Sequence, residues 1–222
     1  ILITRFSFAQ IPFFVFENKD GSVNVDFQTG FTGNIYTEQS CLRDWWEYSP
    51  ATNRWERLTD YPTKNTVGVI SYTDGQYIYC LYGMGDGFSN EIWRYDPASK
   101  QWTKQEASDR MISVMAGVGA SVQGQHYFGT GYHIEDQKSW YQVDFAGKWI
   151  RCTDVPGKGR AMAVAVAGKR HIYIAGGRHF GGDLTDGIVY DDILRYDPQA
   201  DSWTKAGTLP IGTENMIGFS ID

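Results

Sequence analysis

The sequence predicts an all-β chain built from a repeated unit of four short antiparallel strands. Composition points there first: of 222 residues 25 are Gly and 15% are aromatic, and stretches rich in Leu, Ala and Glu are missing. Such a balance suits short strands joined by tight turns. A tryptophan-anchored repeat and closely spaced glycines at strand ends are the second and third observations. The charge of −6 is spread along the chain, with no basic tract suited to nucleic acid or anionic lipid. No apolar run reaches the ~20 residues of a membrane-spanning helix.

The repeat is anchored by Trp46-Glu47-Tyr48-Ser49-Pro50-Ala51-Thr52-Asn53-Arg54-Trp55 and by Trp93-Arg94-Tyr95-Asp96-Pro97-Ala98-Ser99-Lys100-Gln101-Trp102. A further copy reads Leu194-Arg195-Tyr196-Asp197-Pro198-Gln199-Ala200-Asp201-Ser202-Trp203. Between them stands a degraded one, Trp140-Tyr141-Gln142-Val143-Asp144-Phe145-Ala146-Gly147-Lys148-Trp149. Each second anchor follows the first by nine residues, and Trp55, Trp102, Trp149 and Trp203 are spaced 47, 47 and 54 apart. Upstream lie aromatic strands ending at Gly30, Gly83-Met84-Gly85, Gly129-Thr130-Gly131 and Gly176-Gly177. Small-residue strands such as Ala116-Gly117-Val118-Gly119-Ala120 and Ala161-Met162-Ala163-Val164-Ala165-Val166 precede these. A period near 50, with four strands per repeat, describes one blade of a β-propeller.

The wording obeys the physics of such a ring. Strands near the axis converge and need small side chains, while outer strands diverge and take Trp and Tyr. Asp-Pro followed by polar residues makes a turn, since Asp caps it and Pro fixes φ. On the paired glycines, the Tyr-Asp-Pro turn and the trailing Trp, the chain resembles the kelch-repeat superfamily over about residues 11–222. Its Gly-Thr-Gly variant looks more like bacterial members. Blades are expected at about 11–62, 63–107, 108–156 and 157–210, with the inner strand of a further blade at 213–222. Ser49 in blade one and Val143-Asp144-Phe145 in blade three depart from the pattern. Kelch propellers usually close with five to seven blades, so the stray strand reads as a piece of a larger ring rather than closure of a small one. Residues 1–10 read as the tail of a secretory signal or as an edge strand, with a lean towards a secreted, periplasmic or cell-surface protein.

The resemblance implies ligand contacts at the start of the inner strands, here Asn65, Arg110, Arg160 and Glu214, and in the loops after the glycines, here Asp86, His133, Glu135, Arg178 and His179. Arginines on one rim suit a carboxylate or an acidic peptide. The loop Arg178–Asp192 makes blade four longer; its aspartates lack the Asp-x-Asp-x-Asp-Gly spacing of a Ca²⁺ loop and read as solvated. Cys41, Cys80 and Cys152 are far apart, and Cys80 reads as a small buried hydrophobe. A galactose-oxidase-like copper site would need two His, a Tyr and a Tyr linked to Cys. His126 and His171 instead occupy matching places beside Tyr127 and Tyr173, as features of the repeat, and Cys41 pairs with no particular Tyr. No Gly-x-Ser-x-Gly, phosphate-loop or zinc motif is present. No catalytic residue, metal ligand or cofactor is therefore assigned. The expectation is a monomeric, non-catalytic binding module for a protein or glycan. A carbohydrate-active enzyme of the sialic-acid epimerase or mutarotase kind is the alternative.

Overall fold

The computed structural model describes residues 14–17, 23–26, 43–64, 67–85, 87–107, 112–146, 148–180 and 187–220. It contains four four-stranded antiparallel sheets in chain order. Blade one is β1 (Phe14–Glu17), β2 (Val23–Asp26), β3 (Trp46–Ser49) and β4 (Arg54–Arg57). Blade two is β5 (Ile70–Thr73), β6 (Ile78–Leu81), β7 (Ile92–Asp96) and β8 (Gln101–Gln105). Blade three is β9 (Val118–Val122), β10 (Gln125–Gly129), β11 (Trp140–Val143) and β12 (Trp149–Arg151). Blade four is β13 (Val164–Ala167), β14 (Ile172–Ala175), β17 (Asp192–Asp197) and β18 (Ser202–Thr208). Its longer loop carries a small hairpin, β15 (Arg178–His179) with β16 (Ile188–Val189). Among the described residues no helix is long and apolar enough to cross a membrane.

Strands with two-residue alternation bury both faces here, because each sheet has a neighbour on either side. In β6, Ile78 and Cys80 join a core with Trp45, Tyr61, Val69 and Tyr95. Tyr79 and Leu81, on the opposite face, join one with Ile70, Ile92, Phe128 and Val143. A third core, of Val118, Ala120, Tyr127, Trp140, Ile172, Ile174 and Tyr196, lies between blades three and four. The core is thus three slabs, one per blade interface. Cys80 is fully buried in the first, as its apolar strand predicts. The inner strands approach closely enough that a Cβ on Gly119 would fall 2.4 Å from the ring of Tyr72 in the previous blade.

Backbone bonds tie each inner strand to the next. Ala116 N donates to Gly68 O (2.6 Å), Met162 N to Ala116 O (2.7 Å) and Asn215 N to Met162 O (2.9 Å). All four relay residues are left-handed, at φ 64, 54, 58 and 53° for Gly68, Ala116, Met162 and Asn215. A second set runs from Gly83 N to Val114 O, Gly131 N to Arg160 O and Gly177 N to Thr213 O. These donors are the second members of left-handed pairs, Tyr82-Gly83, Thr130-Gly131 and Gly176-Gly177. Only the second position is glycine throughout: at Gly131 a Cβ would lie 2.8 Å from Met115 O. Tyr82 and Thr130 hold the first position at a conformational cost of about 1–3 kcal/mol each. Residues 213–220 dock on blade four through the same two bonds, as the first strand of a further blade would.

The pairing moves two repeat positions by one residue. Tyr48, Tyr95 and Tyr196 face Trp55, Trp102 and Trp203, but Trp149 faces Val143, not Gln142. Blade three has lost a residue from its turn, and Phe145 takes a left-handed φ of 54°. Trp140 therefore matches Trp45 rather than Trp46. The left-handed pairs likewise align His126 with Ile172, while His171 matches Gln125, so the two histidines are not equivalent as the sequence suggests.

Two of the fourth-strand tryptophans bridge backwards to the preceding blade. Trp102 Nε1 donates to Thr59 O (3.2 Å) and Trp203 Nε1 to Thr153 O (2.9 Å). Trp102 also meets Trp45, Tyr61 and Tyr95 with ring centroids 4.9–5.1 Å away. Trp55, in the first blade, is 47% exposed. Trp102→Ala should lower stability by about 3 kcal/mol and Trp55→Ala by about 1 kcal/mol or less. Chemical denaturation of the two variants checks this, and equal losses would contradict the backward bridge.

On the opposite side from the glycine loops, His126 packs against Tyr72, Tyr79 and Phe145, with Nδ1 3.4 Å from Tyr72 Oη. Burial holds its pKa below the usual histidine value, against a weaker upward pull from Asp74. The unfolded chain therefore binds the proton more readily. This contribution to stability is full above the unfolded value of about 6.5 and declines as pH falls below it, by at most about 1.4 kcal/mol per pH unit. Urea midpoints measured between pH 7.5 and 5 should fall towards acid, and His126→Gln should flatten the slope.

Candidate functional site

The connections between blades and the loops after the left-handed pairs share one face. Each such loop starts with a residue bridged to the next-outward edge of the inner strand: Met84 to Val67, Tyr132 to Met115, Arg178 to Ala161. The following residue is Gly85, His133 or His179. Four residues beyond the bridge, Phe88 and Asp136 fold back on Met84 and Tyr132. These two are equivalent, and each meets the histidine of the next blade. Phe88 lies against the His133 ring at 4.3 Å. Asp136 faces His179, with Oδ2 3.1 Å from Nδ1.

The Asp136 slot is well built. Its side chain is 2% exposed and that of His179 17%. Oδ2 also accepts the Phe180 N–H at 2.5 Å, while Oδ1 takes no hydrogen bond from the described residues. The contact with His179 Nδ1 departs from hydrogen-bond geometry, so it sets carboxylate and ring side by side without a directed bond. Tyr132 and Phe180, both half-buried, meet edge to face at 5.7 Å. Asp136 also lines a cavity of about 330 Å³ with Glu135, Lys138, Tyr141, Arg151 and Lys158.

Of the positions expected from sequence, Asn65, Asp86 and Arg110 lie outside the described residues, as does Cys41. His133 Nδ1 sits 2.7 Å from Ser113 O. Glu135 is exposed at the cavity rim. Arg178 is held by Glu214, through Nε to Oε2 at 2.5 Å and Nη2 to Oε1 at 3.0 Å, which raises the guanidinium pKa further. Those two expected positions are thus brought together, but as partners of one another.

Arg160 is a correction. Its side chain is 1% exposed and acts inside the scaffold. Nη1 donates to Asp192 Oδ1 (2.6 Å) and Gly176 O (2.9 Å), and Nη2 to Asp192 Oδ2 (3.0 Å) and Pro156 O (3.2 Å). The guanidinium stacks on the Tyr190 ring at 3.9 Å. Its equivalent in the previous blade is buried Val114, not Arg110, because both carbonyls accept from the paired-glycine N–H. Asp136 was missed by the sequence reading. Its equivalence to Phe88 emerges only once the loops are in register.

The kelch motif model matches residues 73–106 and 159–210. An N-acetylneuraminate epimerase of Yersinia enterocolitica is 32% identical over 105 residues, 45% of this chain and 26% of that protein. One of Vibrio cholerae is 32% identical over 130 residues, 56% of this chain and 32% of that one. The kelch repeat and BTB domain-containing protein 1 of Ectromelia virus is 28% identical over 188 residues, 78% of this chain and 31% of that one. The chain thus spans under a third of the length of these relatives. The solved structure of YjhT superposes with a TM-score of 0.68 at 15% identity, over 90% of this chain and 66% of that chain, a likeness of fold alone. With repeat register, blade topology and these likenesses in agreement, the chain carries kelch repeats folded as the four-stranded blades of a β-propeller.

Proposed function

We propose that the chain is a binding module that holds a protein or glycan ligand on the loop-bearing face of blades three and four. The observation that carries this reading is the gathering there of half-exposed polar and aromatic side chains, His133, Tyr132, Arg178, His179, Phe180 and Glu214, around buried Asp136. Glu135 joins the contact set, Asn65, Asp86 and Arg110 are proposed as contacts on their sequence positions alone, and Arg160 serves the scaffold. Loops carried by a rigid sheet framework are the usual seat of recognition. Affinity capture and glycan-array screening with the protein, repeated with His179→Ala and Glu135→Ala, test it. Binding that survives both changes would place the ligand elsewhere.

A second reading is sugar epimerisation, supported by the names of the Yersinia and Vibrio relatives. Asp136 and His179 form a pair able to orient and move a proton. Exchange of N-acetylneuraminate anomers followed by NMR tests it, and an exchange rate equal to buffer alone would reject it.

A further inference from the structure

Building on the binding reading, we infer that the ligand met at blades three and four is a saccharide, taking hydroxyl hydrogen bonds at Asp136 and His179 and stacking on Tyr132 and Phe180. The charges decide against an acidic peptide. The Arg178 guanidinium already holds Glu214, and that of Arg160 is buried on Asp192. Around them stand the carboxylates of Asp136, Glu135 and Glu214, so the loop offers an incoming acid no unshared guanidinium among the described residues.

What the site has in surplus is acceptors. Asp136 Oδ1 is buried and receives no donor from the described residues. A carboxylate 3.1 Å from His179 Nδ1 favours the Nδ1–H tautomer of the neutral ring, in which Nε2 is an acceptor. Two acceptors on one residue pair call for a ligand with several donors, and a polyhydroxyl ring supplies them. The Phe180 N–H bond to Asp136 anchors that backbone at the pair, and the Phe180 and Tyr132 rings meet edge to face beside it. Aromatic faces next to hydroxyl acceptors suit a sugar ring, with its apolar C–H face and polar edge.

The previous blade provides an internal comparison. There Phe88 fills the position of Asp136 and closes on His133 as ring against ring. That slot has the aromatic contact without the buried carboxylate. One substitution between equivalent loops thus separates a packing contact from a hydroxyl-binding one.

Saturation-transfer NMR and calorimetry on the protein would be run with a panel of neutral and acidic mono- and oligosaccharides and with acidic peptides. At least one saccharide should bind, with Phe180→Leu and His179→Gln each weakening it about tenfold or more and leaving the melting temperature within a few degrees. Asp136→Asn should weaken it similarly. If that variant misfolds, the other two carry the result. Peptide binding at this face that these variants weaken, with no saccharide bound, overturns the inference and leaves the binding module standing. Indifference of every ligand to all three variants overturns both.

Discussion

Arg160→Met should lower the stability of the chain by about 3–5 kcal/mol, seen as an early urea midpoint at unchanged slope. The change removes a cation that is 1% exposed and leaves the Asp192 carboxylate facing the interior without its partner. The carbonyls of Gly176 and Pro156 lose donors as well. Desolvated charges are costly singly and tolerable in pairs, so Arg160→Met with Asp192→Leu should recover part of the loss. A loss under about 1 kcal/mol for the single change would mean a solvated arginine, free for the ligand role its sequence position suggests. Ligand binding and stability are thereby separable at this residue.

Trp140→Ala should cost about 3–5 kcal/mol. Trp140 is fully buried between blades three and four, with ring centroids 5.5 Å from Trp203, 5.9 Å from Tyr196 and 6.3 Å from Tyr127. Its neighbours belong to two sheets held by their own ladders, which limits collapse into the vacated volume. The same position holds Trp45 in blade one, which packs on Tyr95 and Trp102. Blade two has Ile92 there, beside Phe128 and Val143. Wedge size thus varies between interfaces. Thermal and urea unfolding of the variant measure the effect, and a loss near 1 kcal/mol would show that the interface closes up.

Architecture was legible in the sequence because the repeat is carried by residues with strict local demands. Trp102 and Trp203 need a partner carbonyl and a ring cage, and Gly83, Gly131 and Gly177 need left-handed backbone without a Cβ. Such demands recur along the chain and leave a period. Blade three misled the alignment where that demand lapsed: its turn shortened, and Val143 replaced tyrosine opposite Trp149. Site chemistry was less legible for a related reason. The loops after the glycines share no wording, so Asp136 could be matched to Phe88 only through the bridges to Tyr132 and Met84. Arg160 was named as a rim contact because the sequence shows where a side chain starts and not which carboxylate awaits it 32 residues later.

The left-handed relay through Gly68, Ala116, Met162 and Asn215 has an evolutionary side. Adjacent blades recognise one another at the axis through main-chain N–H and C=O groups, which every residue but proline can supply. A duplicated or transplanted blade would therefore arrive with its docking bond already in place, whatever its side chains. That permits a chain of this kind to gain, lose or exchange units by recombination at the inter-blade loops. Mutation can then refashion each outer wedge and rim loop separately, as the divergence between Phe88 and Asp136 records.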